Sequence, residues 1–97
     1  MNKKHLPNIH PGEILRLEFM EPLNITPERL SKDIGISQTR ISEILSEKRS
    51  ITADTALRFS KYFGNSAQFW MNLQTQYDLR QAQAENQEIY EQIRAMI

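Results

Sequence analysis

The sequence predicts an all-α protein of five helices, the last drawn out into a long C-terminal extension. Three features predict it. Thr26, Ser37, Thr52 and Ser66 each stand just before apolar residues at helical spacing, where a side-chain oxygen can accept from an unpartnered amide of the first turn. Gly35 and Gly64 follow two of these segments, in the place where a helix ends by turning left-handed. The stretch from Leu79 to Ile97 is rich in Gln, Glu and Ala and free of Gly and Pro, so it can prolong the fifth helix.

The chain starts with a polar arm, residues 1–9, in which Leu6 and Ile9 are isolated and no regular structure is expected. Pro11 suits a first helical position, because the N–H it lacks has no partner there, and Glu13 sits favourably in the first turn. Ile14, Leu15, Leu17, Phe19 and Met20 make this helix richly apolar, and Pro22 is expected to stop it. It should brace the next two helices from behind.

Those two lie in Thr26 to Arg49, TPERLSKDIGISQTRISEILSEKR. Thr26 caps and Pro27 opens the first; Leu30 and Ile34 keep its apolar face, and Gly35 ends it. After the linker residue Ile36, Ser37 caps the second, which begins at Gln38. A capped helix, a turn of about 3–4 residues containing Gly, and another capped helix make a helix-turn-helix, here residues 26–46.

On the second of these helices Ile41, Ile44 and Leu45 fall on one side at ~100° per residue and pack inward. Thr39, Ser42, Glu43 and Ser46 fall opposite, flanked by Gln38 and Arg40. Short or hydrogen-bonding groups of this kind suit base edges in a major groove: Gln can bridge adenine N6 and N7, and Arg can grip guanine O6 and N7. Gln38, Thr39, Arg40, Ser42 and Glu43 are the candidate base-contacting residues, and Ser37, Ser46, Lys48 and Arg49 the candidate contacts to phosphates. The plainer alternative is an ordinary antiparallel helix pair with a solvated face; the capped second helix and the basic pair behind it weigh against that.

Thr52 and Asp54 open a fourth helix, supported by Ala56, Leu57, Phe59, Ser60 and Phe63 and closed by Gly64-Asn65. Ser66 caps the fifth, which carries Phe69, Trp70, Leu73 and Tyr77 at helical spacing. That stripe reads as the closing wall of the core, since a base-stacking surface would want basic residues interleaved. From Leu79 on, Ala82, Asn86, Ile89, Ile93 and Met96 continue a 4–3 spacing, the pattern of a short heptad seam. The domain proper is therefore residues 10–79, and residues 80–97 form a helical extension, a dimerising or partner-binding helix or else a frayed tail. Tyr77, Ile89 and Ile93 are its candidate dimer or partner contacts.

Composition narrows the function. Ninety-seven residues hold one modest core, and 39% hydrophobic content suffices if that core is helical and partly shared with a partner. No Cys is present, which rules out disulfides and thiolate metal sites and fits a reducing compartment. No apolar run is long enough to span a membrane, and the basic Met1-Asn2-Lys3-Lys4 is not followed by the apolar segment of a signal peptide, so a cytoplasmic location is expected. His5 and His10 have no acidic or Cys partner at ligand spacing; His10 reads as a local cap or surface residue. With no catalytic constellation and no Gly-rich phosphate loop, neither enzyme activity nor a metal or cofactor is expected.

Formal net charge is zero, and through Arg49 there are eight cations against seven acids, so nucleic-acid binding must come from the placement of a few cations. Dimerisation would double those contacts and is expected for that reason.

Three segments, HPGEIL (10–15), ISEILSEKRSITADTALR (41–58) and FGNSAQFWMNLQTQYDL (63–79), closely resemble HigA-type antitoxins, a group that includes proteins called virulence-associated protein I within the larger Cro/C1-type helix-turn-helix family. The likeness covers roughly residues 9–80. It implies a compact five-helix, lambda-repressor-like DNA-binding domain, homodimeric on a palindromic operator, that represses its own operon. It also implies a HigB-type toxin partner, a ribosome-dependent mRNA endonuclease that the protein neutralises. Related repressors read bases from the first residues of the second helix and its outward face, here Gln38, Thr39, Arg40 and Glu43. Relatives often carry Asn-Gly before the basic pair, where this chain has Ser46-Glu47, an acid close to expected phosphates. Two other readings stand beside this one: a stand-alone repressor without a toxin, and a protein-interaction module that has lost DNA binding. The toxin-binding surface is either the N-terminal arm with the first helix or the C-terminal helix.

Overall fold

The computed structural model describes residues 8–97. The expected arm therefore lies outside the described residues up to residue 7, and His5 with it; Asn8 and Ile9 have no regular structure. Five helices follow: α1 (residues 11–23), α2 (Pro27–Ile34), α3 (Gln38–Leu45), α4 (Ala53–Phe63) and α5 (Ala67–Glu91).

α1 starts from a histidine cap. His10 Nδ1 accepts from the Gly12 N–H at 2.9 Å, and Pro11 occupies the first turn. The ring is buried, contrary to a surface role, and packs edge-on against Tyr77 of α5 with centroids 4.8 Å apart. The middle of the helix, Leu15–Met20, is wound as a π-helix, and the Glu21 N–H donates to the Arg16 carbonyl five residues back. A regular α-helix would set Leu15 and Met20 ~140° apart; the wider turn lets both reach the core, where each is buried. It ends just before Pro22, whose ring would otherwise press on the carbonyl four residues behind it. Pro22 does not stop the helix as expected. The chain continues to Leu23 and turns at Asn24, in the left-handed region at φ 55°. Leu17, expected on the apolar face, is left at the surface.

The core is built from Leu15 and Met20 of α1, Leu30 of α2, Ile36 in the turn, Ile41 and Ile44 of α3, Ile51 in the following loop, Ala56 and Phe59 of α4, and Trp70 of α5. Ile36 is thus an apolar plug in the turn as well as a linker. Trp70 is wholly buried, with Phe19 and Phe59 each 5.0 Å away, and its indole N–H donates to Asn65 Oδ1 at 2.9 Å. The aromatic stripe of α5 is the closing wall of the core, although Phe69 keeps part of its surface exposed. Buried Gln74 ties α5 to the loop before α4: its Oε1 accepts from the Ile51 N–H at 2.7 Å, and its Nε2 donates to Ser50 Oγ and Asp78 Oδ1.

Two side chains of α4 fix α2. Arg58 Nη1 donates to the carbonyls of Ile34 and Gly35 at 2.8 and 3.1 Å, satisfying acceptors that the end of α2 leaves open. The Tyr62 hydroxyl donates to Asp33, which also accepts from Arg29; these bonds, Tyr62's first, hold the Asp33 carboxyl below the usual carboxylate range.

α5 runs well past the core. Its backbone breaks helical geometry at Asn86 (φ −130°, ψ 27°), and it ends at Glu91. Ile93 and Met96 of the expected seam therefore lie beyond the helix, and the kink separates Leu79 and Ala82 from Ile89. The radius of gyration, 16.2 Å, reflects this projection; a fully compact chain of this length would be near ~13 Å.

Two outcomes follow from the packing of α1. A Cβ on Gly12 would lie 2.0 Å from the Ile44 carbonyl oxygen of α3, a backbone atom that cannot swing aside. Gly12→Ala should cost about 3 kcal/mol in urea unfolding; a loss below ~1 kcal/mol would mean the helices do not touch there. Burial lowers the His10 pKa below its ordinary value, against the opposing charges of Glu47 and Asp78. The unfolded chain then binds the proton more readily, so this contribution is complete above about pH 6.5 and is lost as pH falls through the folded value. His10→Asn keeps a capping acceptor without titrating. Its urea midpoint should fall less than that of the parent between pH 7.5 and 5.5, and parallel declines would contradict the account.

Candidate nucleic-acid interface

The helix-turn-helix is α2 and α3. α2 is capped by Thr26, whose hydroxyl oxygen accepts from the Arg29 N–H at 3.1 Å, and Gly35 ends it in the left-handed region at φ 74°. Ser37 caps α3 by accepting from the Arg40 N–H at 3.1 Å, so its oxygen is already engaged while its hydroxyl hydrogen is left to donate. Ile41 and Ile44 are wholly buried and Leu45 half-buried, which holds the opposite side of α3 outward.

That side is a shallow open depression lined by Gln38, Thr39, Ser42, Glu43, Ser46 and Lys48. Gln38, Thr39 and Ser42 are exposed; Arg40 sits half-buried at the flank, with its guanidinium unpaired by any carboxylate among the described residues. The hydroxyl of Ser46 donates back to the Glu43 carbonyl at 3.3 Å, a bond it must give up to reach a phosphate. Lys48 is exposed beside it.

Arg49 is placed differently from the expectation of a phosphate contact. Its Nε and Nη2 both lie 2.7 Å from Glu43 Oε1, so two candidate DNA-contacting residues are paired with each other. Their spacing across the end of α3 exceeds that of pairs along a helix, so helical period alone does not show it.

The other candidates lie apart from this face. Tyr77 is half-buried on α5 against His10, and its carbonyl accepts from Asn8 Nδ2 at 3.0 Å, so its own chain covers much of it. Ile89 is 58% exposed near the end of α5, and Ile93 is 70% exposed beyond it. Among the described residues no cluster of His, Asp or Glu could hold a metal ion, and no helix is long and apolar enough to cross a membrane.

Residues 17–70 match the helix-turn-helix family model. The chain is 51% identical over 87 residues to virulence-associated protein I of Dichelobacter nodosus, an alignment covering 90% of this chain and 81% of that one. It is 32% identical over 79 residues to antitoxin HigA-1 of Vibrio cholerae, covering 81% and 74%. Its structure superposes on Pseudomonas aeruginosa antitoxin HigA, solved with the higBA promoter, with TM-score 0.89 and 43% identity, covering 94% of this chain and all of the other. The chain belongs to the helix-turn-helix family, among its HigA-type antitoxins. That family comprises DNA-binding regulators and antitoxins; it is not a family of enzymes.

In this HigA-type antitoxin the turn after α3 keeps its shape without glycine. The Lys48 N–H donates to the Glu43 carbonyl at 2.8 Å and the Glu47 N–H to that of Ile44 at 3.0 Å, the paired bonds of a Schellman ending. Glu47 fills the left-handed position at φ 67°. A side chain there is strained by about 1–2 kcal/mol, and the geometry survives because both amides and the buried Ile44 impose it. Glu47→Gly should stabilise the protein by about 0.5–1 kcal/mol, the relief being partly offset by a freer unfolded chain. A destabilised variant in urea titration would mean the strain is absent.

Proposed function

We propose that this antitoxin is a dimeric, sequence-specific DNA-binding protein of the cytoplasm. It represses its own operon and neutralises an mRNA-cleaving HigB-type toxin, with no catalytic chemistry of its own. Residues 10–79 form the DNA-binding domain, and residues 80–97 the extension that supports dimer or partner contacts. The observation that carries the reading is the outward face of α3, where Gln38, Thr39, Arg40 and Ser42 stand on a helix anchored from behind by Ile41 and Ile44. The superposition on a HigA protein solved with promoter DNA supports the same use of that face.

On this reading the helix enters a major groove with its N-terminal half against base edges. Gln38 and Arg40 make the base-specific bonds, Thr39 and Ser42 add short contacts, and Ser37, Ser46 and Lys48 position the backbone. A near-neutral protomer gains little from long-range attraction, so two copies on a two-fold site supply the affinity. The exposed Leu79, Ile89 and Ile93 offer apolar surface for that pairing.

Substitution separates the two kinds of contact. Arg40→Ala should weaken operator binding by about 1–3 kcal/mol and relax the preference at particular base pairs. Lys48→Ala should weaken every duplex alike and flatten the salt dependence. A gel-shift series in which neither variant changes would remove α3 from the interface.

A further inference from the structure

We infer that Glu43 is a specificity-determining residue: it holds Arg49 in a closed ion pair that opens fully only on a base able to replace Arg49 as Glu43's hydrogen-bond donor. The inference rests on the operator-binding reading and deepens it.

Both bonds converge on one carboxylate oxygen. Arg49 Nε and Nη2 are each 2.7 Å from Glu43 Oε1, in a pair that is open to solvent on the outward side of α3. The same face carries Gln38, Thr39 and Ser42. Glu47 stands in the turn between the two, so releasing Arg49 leaves two carboxylates on or beside a surface that must approach phosphates. On an arbitrary sequence the exchange is unfavourable: Arg49 gains a phosphate, but Glu43 enters the groove unpaired among negative charges and acceptor-rich base edges. A cytosine changes the outcome, because its N4 amino group donates to a carboxylate in the major groove. Glu43 then exchanges one donor for another, and Arg49 is released to a phosphate without leaving an orphaned charge. Zero net charge and the Glu43–Arg49 pair thus act together, keeping non-specific DNA binding weak while the operator receives the full set of cations.

The test is a salt series by fluorescence anisotropy on the full chain, for the parent, Glu43→Gln, Arg49→Ala and the double variant, each against upstream promoter DNA and a scrambled duplex. Glu43→Gln frees Arg49, so binding to the scrambled duplex should tighten roughly 5–10-fold near 0.1 M salt, with a salt slope steeper by about 0.9 per added phosphate contact. Affinity for promoter DNA should stay level or fall, so that selectivity drops. In the Arg49→Ala background the same substitution should give little gain on the scrambled duplex.

An unchanged slope, or a gain of equal size without Arg49, would overturn the inference and reduce Glu43 to simple charge repulsion. The scrambled-duplex slopes can be read even if the parent shows no promoter preference, so failure of the operator reading is distinguishable from failure of the ion-pair exchange. Circular dichroism of each variant confirms that the helices are intact.

Discussion

The outward face of α3 depends on how tightly its inward face is held. Ile41 and Ile44 have no exposed surface, and the Ile44 carbonyl lies so close to Gly12 that no side chain fits between the helices. This backbone-to-backbone contact sets the distance between the start of α1 and the end of α3. His10 then fixes α1 from the other side, capping it and packing on Tyr77. α3 is therefore locked in position and rotation, which a reading helix needs if side chains on its far side are to meet bases in register.

The remaining elements hold that arrangement through polar bonds at places where apolar packing cannot. Arg58 closes the end of α2 from α4, and Gln74 reaches from α5 to the amide of Ile51. Each satisfies backbone groups that would otherwise be buried or left open at a helix end. Trp70 fills the space between α1, α4 and α5, and its indole N–H is satisfied by Asn65.

Much of this was legible in the sequence. The caps at Thr26, Ser37, Thr52 and Ser66 all form, because capping is a local bond between residues three apart. The inward set of α3 was legible because helical period alone sorts it. What escaped depends on distant or non-periodic partners. The π-helical turn of α1 answers both to Pro22 and to the core, and only Asn24 reverses the chain. The burial of His10 needs Tyr77 from the far end of the chain, and Gly12 looks unremarkable until Ile44 is opposite it. The Glu43–Arg49 pair forms because the left-handed Glu47 folds the chain back, a geometry that sequence favours for glycine and not for an acid. The kink at Asn86 likewise breaks a seam that spacing alone presents as continuous.

On the proposed reading, this locked helix reads DNA. The direct measurement is fluorescence anisotropy of the purified protein against the promoter DNA of its own operon and a scrambled duplex of equal length, at one moderate salt concentration. Binding is expected to be at least ~10³-fold tighter to the promoter DNA, the lower end of what specific binders achieve. Equal, weak binding to both would contradict it and leave the helix-turn-helix as a scaffold for protein contacts.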